Sequence, residues 1–131
     1  MITDRVGDFI IRLQNAVMIS KREVSVPHSG HLVAIAHKLK ELGFLTAVKV
    51  DGENAKRAIH VTLAYDERGN AKLRGVKRVS KPGRRLYTRS SAAHTVMGGT
   101  GARLISTSSG ILSDAEARKS HKGGEDLFEI W

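Results

Sequence analysis

The chain has 131 residues, 40% of them hydrophobic, and carries 22 Lys and Arg residues against 13 Asp and Glu residues. This length supports one or two small domains with a modest core. The absence of cysteine excludes disulfides and cysteine metal sites, and it favours a reducing, cytoplasmic environment. No apolar run approaches the roughly 18 residues of a membrane span, and residues 1–16 lack the apolar region of a signal peptide.

The net charge of +9 is concentrated in one part of the chain. Residues 1–67 hold nine basic and eight acidic residues, and residues 114–131 hold three and five. Residues 68–113 hold ten basic residues and no acidic one. Such segregation is typical of a face that meets a polyanion, and it favours a nucleic acid. An anionic membrane or a merely solvated surface stays open, although no basic amphipathic helix favours the membrane.

Two helices are predicted in the first half of the chain. The first has Thr3 as its N-cap and an acidic residue near its positive end. Its apolar residues follow at helical spacing: Val6, Phe9, Ile10, Leu13 and Val17. The second begins at Ser29 or His31 and ends at Gly43, a favoured residue just after a helix.

Alternation of apolar and polar residues predicts the strands of the first half. We expect strands over 24–26, 44–50 and 59–65. The turn-forming run 66–70 predicts a hairpin whose second strand is 71–79. The first half is therefore expected to form two helices on a three-stranded sheet.

The second half predicts short strands separated by turns. Pro82–Gly83 breaks the chain, and Ser113 and Glu116 form a capping box for a short helix that ends near Lys119. The other expected elements are strands over 84–89, 102–106 and 125–131, a turn or two of helix over 91–97, and turns at 98–101 and 123–124. The predicted fold is α+β, with an N-terminal α/β domain (1–72) followed by a β-rich C-terminal domain with a short helix (73–131).

No residue pattern in the chain points to catalysis or to a metal. The G-x-S-x-G and phosphate-loop motifs are absent. His31 and His37 lie six residues apart on a predicted helix and point to different sides, which suits no metal. Asp114 and Glu116 fit the first turn of a helix better than an acid pair. We therefore predict that the chain is not an enzyme and has no metal site or cofactor.

A run of hydroxyl side chains, Ser106 to Ser109, precedes Gly110 next to the acid-free segment. Hydroxyls donate and accept hydrogen bonds and suit the ribose, phosphates and base edges of an irregular RNA. A polar turn is the equally open alternative. We expect Gly110 to have a positive φ or to allow a close approach of RNA. Tyr87 faces outward if Leu86 faces the core, and a partly buried tyrosine is the other possibility.

The chain resembles the ribosomal protein S8 family in its bacterial form. The resemblance covers nearly the whole chain and depends on residues that keep their order and spacing. They are Gly101, Leu104-Ile105, Ser106-Thr107, Gly110, Ile111-Leu112, Ala117-Arg118 and Gly123-Gly124-Glu125, supported by segments 8–16, 33–44 and 78–89.

This resemblance implies a function in the small ribosomal subunit. Members of the family bind the central domain of 16S rRNA directly and early in assembly, help to organise the platform of the 30S subunit, and neighbour ribosomal proteins S5 and S12. Some members also bind their own operon mRNA, so a translational repressor that uses the same surface is the alternative function.

The resemblance also implies which residues meet RNA. Those expected at the distorted core of an RNA helix are Ser106, Thr107, Ser108, Ser109 and Gly110, together with Gly123, Gly124 and Glu125. Tyr87 offers an aromatic face. The expected phosphate contacts are Lys81, Arg84, Arg85 and Arg89. A second RNA element is expected at Arg5, Arg12 and Asn15 on the first helix.

Two positions depart from the pattern of the family. Ile11 and Gln14 stand where the family usually carries Thr and Arg, which weakens the expected contact of the first helix. His121–Lys122 is more basic than usual before the glycine pair and adds a candidate phosphate contact.

Overall fold

The computed structural model describes residues 4–89 and 101–131. In chain order the elements are α1 (Arg5–Met18), β1 (Glu23–Pro27), α2 (Gly30–Glu41), β2 (Leu45–Asp51), a short 3₁₀ helix (Asn54–Lys56), β3 (Ala58–Leu63), β4 (Val76–Arg78), β5 (Tyr87–Thr88), β6 (Ala102–Thr107), β7 (Gly110–Ser113), α3 (Asp114–Ser120) and β8 (Gly124–Ile130). The predicted α+β fold is confirmed.

The first sheet is antiparallel and has the strand order β1-β3-β2. Alternate residues of β1 and β3 are buried, as the sequence pattern predicted. The buried side chains of the two helices complete this core, and they are Phe9, Ile10, Leu13 and Ala16 on α1 and Leu32, Ile35, Ala36 and Leu39 on α2. Two helices and a three-stranded sheet are therefore present as expected.

The helix ends follow local sequence signals. The Ser29 hydroxyl accepts a hydrogen bond from the Leu32 N–H at 3.5 Å and caps α2, and Gly43 follows that helix with φ +91°. The predicted cap of α1, Thr3, lies outside the described residues. Asp4 directly precedes α1 and its carboxylate accepts from the Gly7 N–H at 3.0 Å, so Asp4 caps this helix.

The predicted hairpin at residues 66–70 is correct only in its turn. Tyr65 and Ala71 form an isolated bridge, but the pairing with β3 extends little further. The strand β4 pairs instead with β8, and Gly75 exchanges two backbone hydrogen bonds with Trp131. A Cβ on Gly75 would lie 2.7 Å from the Trp131 ring, so this glycine permits the close approach. The alternation of apolar and polar residues predicted a strand here, but it did not show that this strand pairs with β8.

The second sheet has five strands in the order β4-β8-β6-β7, with β5 also paired to β8. Leu104, Phe128 and Ile130 are fully buried, and Ile105 packs against Ala117 of α3. The capping box of Ser113 and Glu116 is present in full, as predicted.

Three details of the second half differ from the predictions. The strand predicted over 84–89 is confined to Tyr87–Thr88, because the residues before it form a loop. The strand β7 was not expected, because only four residues separate the hydroxyl run from the capped helix. The turn predicted at Gly123–Gly124 lies earlier: His121 is left-handed with φ +56°, and Gly124 already belongs to β8. The predicted elements at 91–97 and 98–100 lie outside the described residues.

The chain divides into two compact units. One is Asp8–Arg74, and the other combines Gly75–Trp131 with the start of α1 up to Gly7. The predicted domains, 1–72 and 73–131, stay a prediction, because packing alone does not show that either part folds by itself.

Candidate nucleic-acid interface

Residues 80–86 form a loop that we call the basic hairpin. The strands β4 and β5 both pair with β8, and the residues between these two strands loop away from β8. The backbone of Asp126 binds both ends of this loop. Its carbonyl accepts from the Ser80 N–H at 3.0 Å, and its N–H donates to the Leu86 carbonyl at 2.9 Å. At the tip, Lys81 and Arg84 exchange hydrogen bonds of 2.9 and 3.0 Å across Pro82–Gly83.

The Ser80 hydroxyl closes the base of the basic hairpin. Ser80 is 2% exposed, and its Oγ accepts from the Leu86 N–H at 2.8 Å and donates to the Leu86 carbonyl at 3.1 Å. A buried hydroxyl with both functions satisfied holds the two sides of a loop in one geometry. Sequence reasoning missed this role, because nothing local to Ser80 showed that Leu86 lies opposite.

Residues 106–110 form a second tight loop, the hydroxyl hairpin, between β6 and β7. The Thr107 Oγ1 donates to the Gly110 carbonyl at 2.9 Å and accepts from the Ser109 N–H at 3.1 Å. Gly110 has φ +108°, as expected, and a Cβ there would meet nothing within 4 Å, so conformation and not space requires the glycine. Within the described part of the chain, the hydroxyls of Ser106, Ser108 and Ser109 make no hydrogen bond.

The register of β8 brings residues from both loops and from β5 to one end of the sheet. Glu125 lies opposite Tyr87 on one side and opposite Ser106 on the other, and we call these three residues the cross-strand row. Directly opposed residues in antiparallel strands share a face, with Cβ atoms about 4.5–5.5 Å apart. Tyr87 is 73% exposed, which removes the alternative of a buried core tyrosine. Next to the row, a Cβ on Gly124 would lie 2.0 Å from the Ser106 carbonyl oxygen, so only glycine allows this approach of β8 to β6.

Several basic residues of this sheet and of the basic hairpin fall into two groups. Arg78 donates to Asp4 at 2.6 Å, and Arg103 pairs with Asp126 at 3.2 Å and with Glu129. These arginines are half-buried and support the structure. Lys81, Arg84 and Arg89 are exposed and form no ion pair with any residue that the structure describes. They are therefore available to an external anion.

Two carboxylates stand beside these cations. Arg85 donates to Glu125, with Nη1 at 3.1 Å from Oε2. The hydrogen bond from Arg78 holds the pKa of Asp4 below its ordinary value, and the Gly7 N–H and the charge of Arg85 act in the same direction. Asp4 and Arg78 thus form a charged clamp beside the basic hairpin.

The RNA contacts predicted on α1 are divided between the two compact units. Arg5, in the unit that contains Gly75–Trp131, is exposed at the start of the helix. Arg12 is engaged within Asp8–Arg74: it pairs with Asp8 at 3.1 Å, and its Nη1 donates to the Ser25 carbonyl at 2.8 Å. Asn15 is exposed and lines a shallow groove together with Arg12 and Ser25. Gly123, from the other predicted set, is exposed just before β8.

Two further features are absent among the residues that the structure describes. No group of three or more His, Cys, Asp and Glu residues among them is placed to hold a metal ion. No helix among them is long and apolar enough to cross a membrane.

Known proteins with the same sequence pattern identify the family. The family model of ribosomal protein S8 matches residues 4–131. The small ribosomal subunit protein uS8 of Brevibacillus brevis is 38% identical over 131 residues, which cover 100% of this chain and 99% of that protein. The proteins of the same name from Mycoplasmopsis synoviae and Helicobacter pylori are 39% and 37% identical, and at least 98% of each chain is covered. The chain therefore belongs to the ribosomal protein S8 family, whose members are structural proteins of the small ribosomal subunit and not enzymes.

Proposed function

We propose that this chain binds the central domain of 16S rRNA directly and helps to assemble the platform of the 30S subunit. The observation that carries the proposal is the register of β8. It collects Tyr87, Glu125 and the hydroxyl hairpin, which are far apart in sequence, at one end of one sheet. The basic hairpin leaves the same sheet next to β5.

The two hairpins make different kinds of contact with the RNA. Lys81, Arg84 and Arg89 are exposed cations without an internal partner in the described part of the chain, so they contact phosphates. Phosphate contacts supply affinity and make it depend on salt, but they carry no sequence information. The hydroxyls of Ser106, Ser108 and Ser109 make no hydrogen bond to any described residue, and they suit ribose 2′-OH groups and base edges.

We propose a weaker role for the first helix at a second RNA element. Arg5 and Asn15 are exposed. Arg12 would have to leave Asp8 and the Ser25 carbonyl before it met a phosphate, because its guanidinium already donates to both. Arg12 is therefore less available than Asn15.

The neighbours of the chain and its regulatory role are part of the same proposal. Ribosomal proteins S5 and S12 are the proposed protein neighbours, and the operon mRNA of the chain is the proposed second RNA. A messenger that folds like the rRNA site would occupy the same hydroxyl and basic hairpins. Cofractionation with 30S particles in a sucrose gradient at high salt would favour the ribosomal role over that of a free repressor.

Chemical footprinting of the purified protein on 16S rRNA tests the proposal. We expect protection confined to one helix of the central domain. A scrambled RNA of the same length and composition is the matched control, and we expect it to bind weakly and with strong salt dependence. Equal affinity for both RNAs, or protection spread over the whole rRNA, would contradict specific binding.

A further inference from the structure

The turn that joins β2 to β3 begins with Asp51–Gly52. This is the sole Asp-Gly dipeptide of the sequence, which contains no Asn-Gly dipeptide. Asp51 is the last residue of β2 and lies opposite Ala58 of β3, so the dipeptide lies where the chain leaves the first sheet. Both residues are exposed, and they line an open groove together with Arg57. Solvent water therefore reaches the Asp51 carboxylate.

The Asp51 side chain lies against the backbone of the residue that follows it. Its Oδ1 accepts a hydrogen bond from the Gly52 N–H at 2.7 Å. The carboxyl carbon is bonded to this oxygen, so it also lies close to the Gly52 nitrogen. An electrophile and a nucleophile that are held near contact react more readily than groups that meet at random. The turn therefore holds together the two atoms that a cyclisation of this dipeptide would join.

The turn requires glycine at position 52. Gly52 has φ +86°, and a Cβ there would lie 2.5 Å from the Lys56 carbonyl oxygen, so both conformation and space exclude a side chain. The Lys56 N–H donates to the Glu53 carbonyl at 3.1 Å, which closes the next part of the turn. A side chain after an aspartate shields the peptide nitrogen, and Gly52 has none. The residue that allows the turn thus leaves its own nitrogen open to reaction.

We propose that Asp51–Gly52 is a site of spontaneous isoaspartate formation. The Gly52 nitrogen attacks the Cγ of Asp51 and closes a five-membered succinimide ring. A C–N bond replaces a C–O bond, and one carboxyl oxygen leaves as water with the N–H proton and a proton from solvent. Water then opens the ring. Cleavage of the new C–N bond restores aspartate, whereas cleavage of the original peptide bond gives isoaspartate with a free α-carboxylate.

The modification changes the end of the first sheet. In isoaspartate the main chain runs through Cβ and Cγ, so one extra carbon separates position 51 from Gly52. The pairing of Asp51 with Ala58 is the last of the β2–β3 register, so the added length distorts the turn without shifting the pairs before it. The change is therefore confined to the turn, where an enzyme that recognises isoaspartate can reach it.

Asp66 offers a comparison within the same compact unit. It is also exposed and also begins a turn, but its Oδ1 accepts from the N–H groups of Arg68 and Asn70, at 2.9 and 2.8 Å. The residue that follows it is Glu67, whose side chain shields the peptide nitrogen. Asp66 therefore serves as the internal control for Asp51.

Ageing of the purified protein at neutral pH, below its unfolding temperature, tests the inference. Isoaspartate has the mass of aspartate, so a chemical label is needed. A protein carboxyl methyltransferase transfers the methyl group of radioactive S-adenosylmethionine to the α-carboxylate of isoaspartate and leaves ordinary aspartate unlabelled. We expect the label to accumulate in the peptide that contains Asp51 and not in the peptide that contains Asp66. Hydroxylamine, which attacks succinimides, should cleave the chain between residues 51 and 52.

Two variants and a peptide sharpen the test. Asp51→Asn forms the same succinimide with loss of ammonia in place of water, and it should be labelled faster than the wild-type protein. Asp51→Glu keeps the charge but requires a six-membered ring, and it should lose the label. A synthetic peptide of residues 48–55 reports the rate without the fold. The folded protein should react at least as fast as this peptide, because the turn holds the reacting atoms together.

Three results would overturn the inference. A folded wild-type protein that stayed unlabelled while the peptide reacted would show that the turn protects Asp51. Equal labelling of the Asp51 and Asp66 peptides would show that the geometry of the turn has no effect. Label retained in Asp51→Glu would place the reaction at another residue. Circular dichroism of each aged sample ensures that the folded protein is the species compared.

Discussion

The basic hairpin and the hydroxyl hairpin resemble each other in construction and differ in what they present. Each has a tip of two residues, Pro82–Gly83 in one and Ser108–Ser109 in the other. Each is closed by one hydroxyl that both donates and accepts, from Ser80 and Thr107 respectively. The first loop presents cations, whereas the second presents neutral hydroxyls. Closing a loop therefore requires little of its outward side chains, so these can differ in chemistry between the two hairpins.

Removing the charges of the basic hairpin should have the largest effect. In the Lys81→Ala/Arg84→Ala variant we expect binding to weaken by about 3 kcal/mol at low salt, since two charged hydrogen bonds are lost. The loss should be equal for cognate and scrambled RNA, because phosphates carry no sequence information. Filter binding over a series of salt concentrations measures both the loss and the slope.

The control for this double variant is Lys77→Ala. Lys77 is equally basic and exposed, but it lies on β4 opposite Glu129, away from the tip of the loop. Its replacement should change affinity and slope little. If Lys77→Ala acted like the double variant, total charge and not the position of the hairpin would govern binding.

Removing the closing hydroxyl of the basic hairpin should mainly affect folding. Ser80→Ala leaves the half-buried Leu86 N–H without its acceptor, while the Leu86 carbonyl keeps the Asp126 N–H. We expect a loss of about 1–3 kcal/mol in the free energy of unfolding, measured by urea denaturation. Ser120→Ala removes an exposed hydroxyl bonded to a helix carbonyl and should cost less than about 0.5 kcal/mol. Equal costs for the two variants would show that Ser80 does not close the loop.

The hydroxyl hairpin should separate folding from recognition within neighbouring residues. Thr107→Ala removes two internal hydrogen bonds and should destabilise the protein by about 1 kcal/mol. Ser108→Ala/Ser109→Ala should leave stability within about 0.5 kcal/mol but weaken cognate binding by about 1 kcal/mol per hydroxyl, with no effect on scrambled RNA. Unchanged cognate affinity in this double variant would make the serines a plain turn.

The smallest expected effect concerns stability at acid pH and the ion pair of Asp4 with Arg78. Because the folded pKa of Asp4 lies below its ordinary value, the stabilisation is complete above that value and is lost as the pH falls from about 4 toward the folded pKa. Asp4→Asn keeps a capping side chain but loses the ion pair with Arg78. We expect it to cost less than about 1 kcal/mol at pH 7, since Asp4 is 39% exposed.

Urea denaturation of the wild-type protein and of Asp4→Asn over the acid range measures this effect. The difference in the free energy of unfolding between the two proteins reports on Asp4 alone, because the other carboxylates are the same in both. This difference should shrink toward zero below about pH 4. A difference that stayed constant down to pH 2 would show that the charge of Asp4 has no part in it.

Elements defined by neighbouring residues were predictable from the sequence. Ser29 and Gly43 marked the ends of α2, and Ser113 with Glu116 marked the start of α3, because capping depends on residues three or four positions apart. The positive φ of Gly110 was expected on the same local grounds.

Features that join distant residues were not predictable in the same way. The alternating pattern of 71–79 fits a strand beside β3 as well as beside β8, and only the packing of Gly75 and Trp131 decides between them. Arg85 and Glu125 lie forty positions apart, so no local pattern marks them as a pair. The family pattern named both residues, but it did not distinguish Arg85 from Arg84, which forms no ion pair with the residues that the structure describes.

The two-residue tip of the basic hairpin also offers a place to watch binding directly. A Cβ on Gly83 would meet nothing within 4 Å, and the backbone there has no positive φ. Because the chain contains no cysteine, Gly83→Cys creates a single thiol for a fluorescent dye. Lys81 and Arg84 flank the tip through backbone hydrogen bonds that the substitution leaves in place. The dye would sit beside the proposed phosphate contacts and report the arrival of RNA in real time, with the cationic side chains intact.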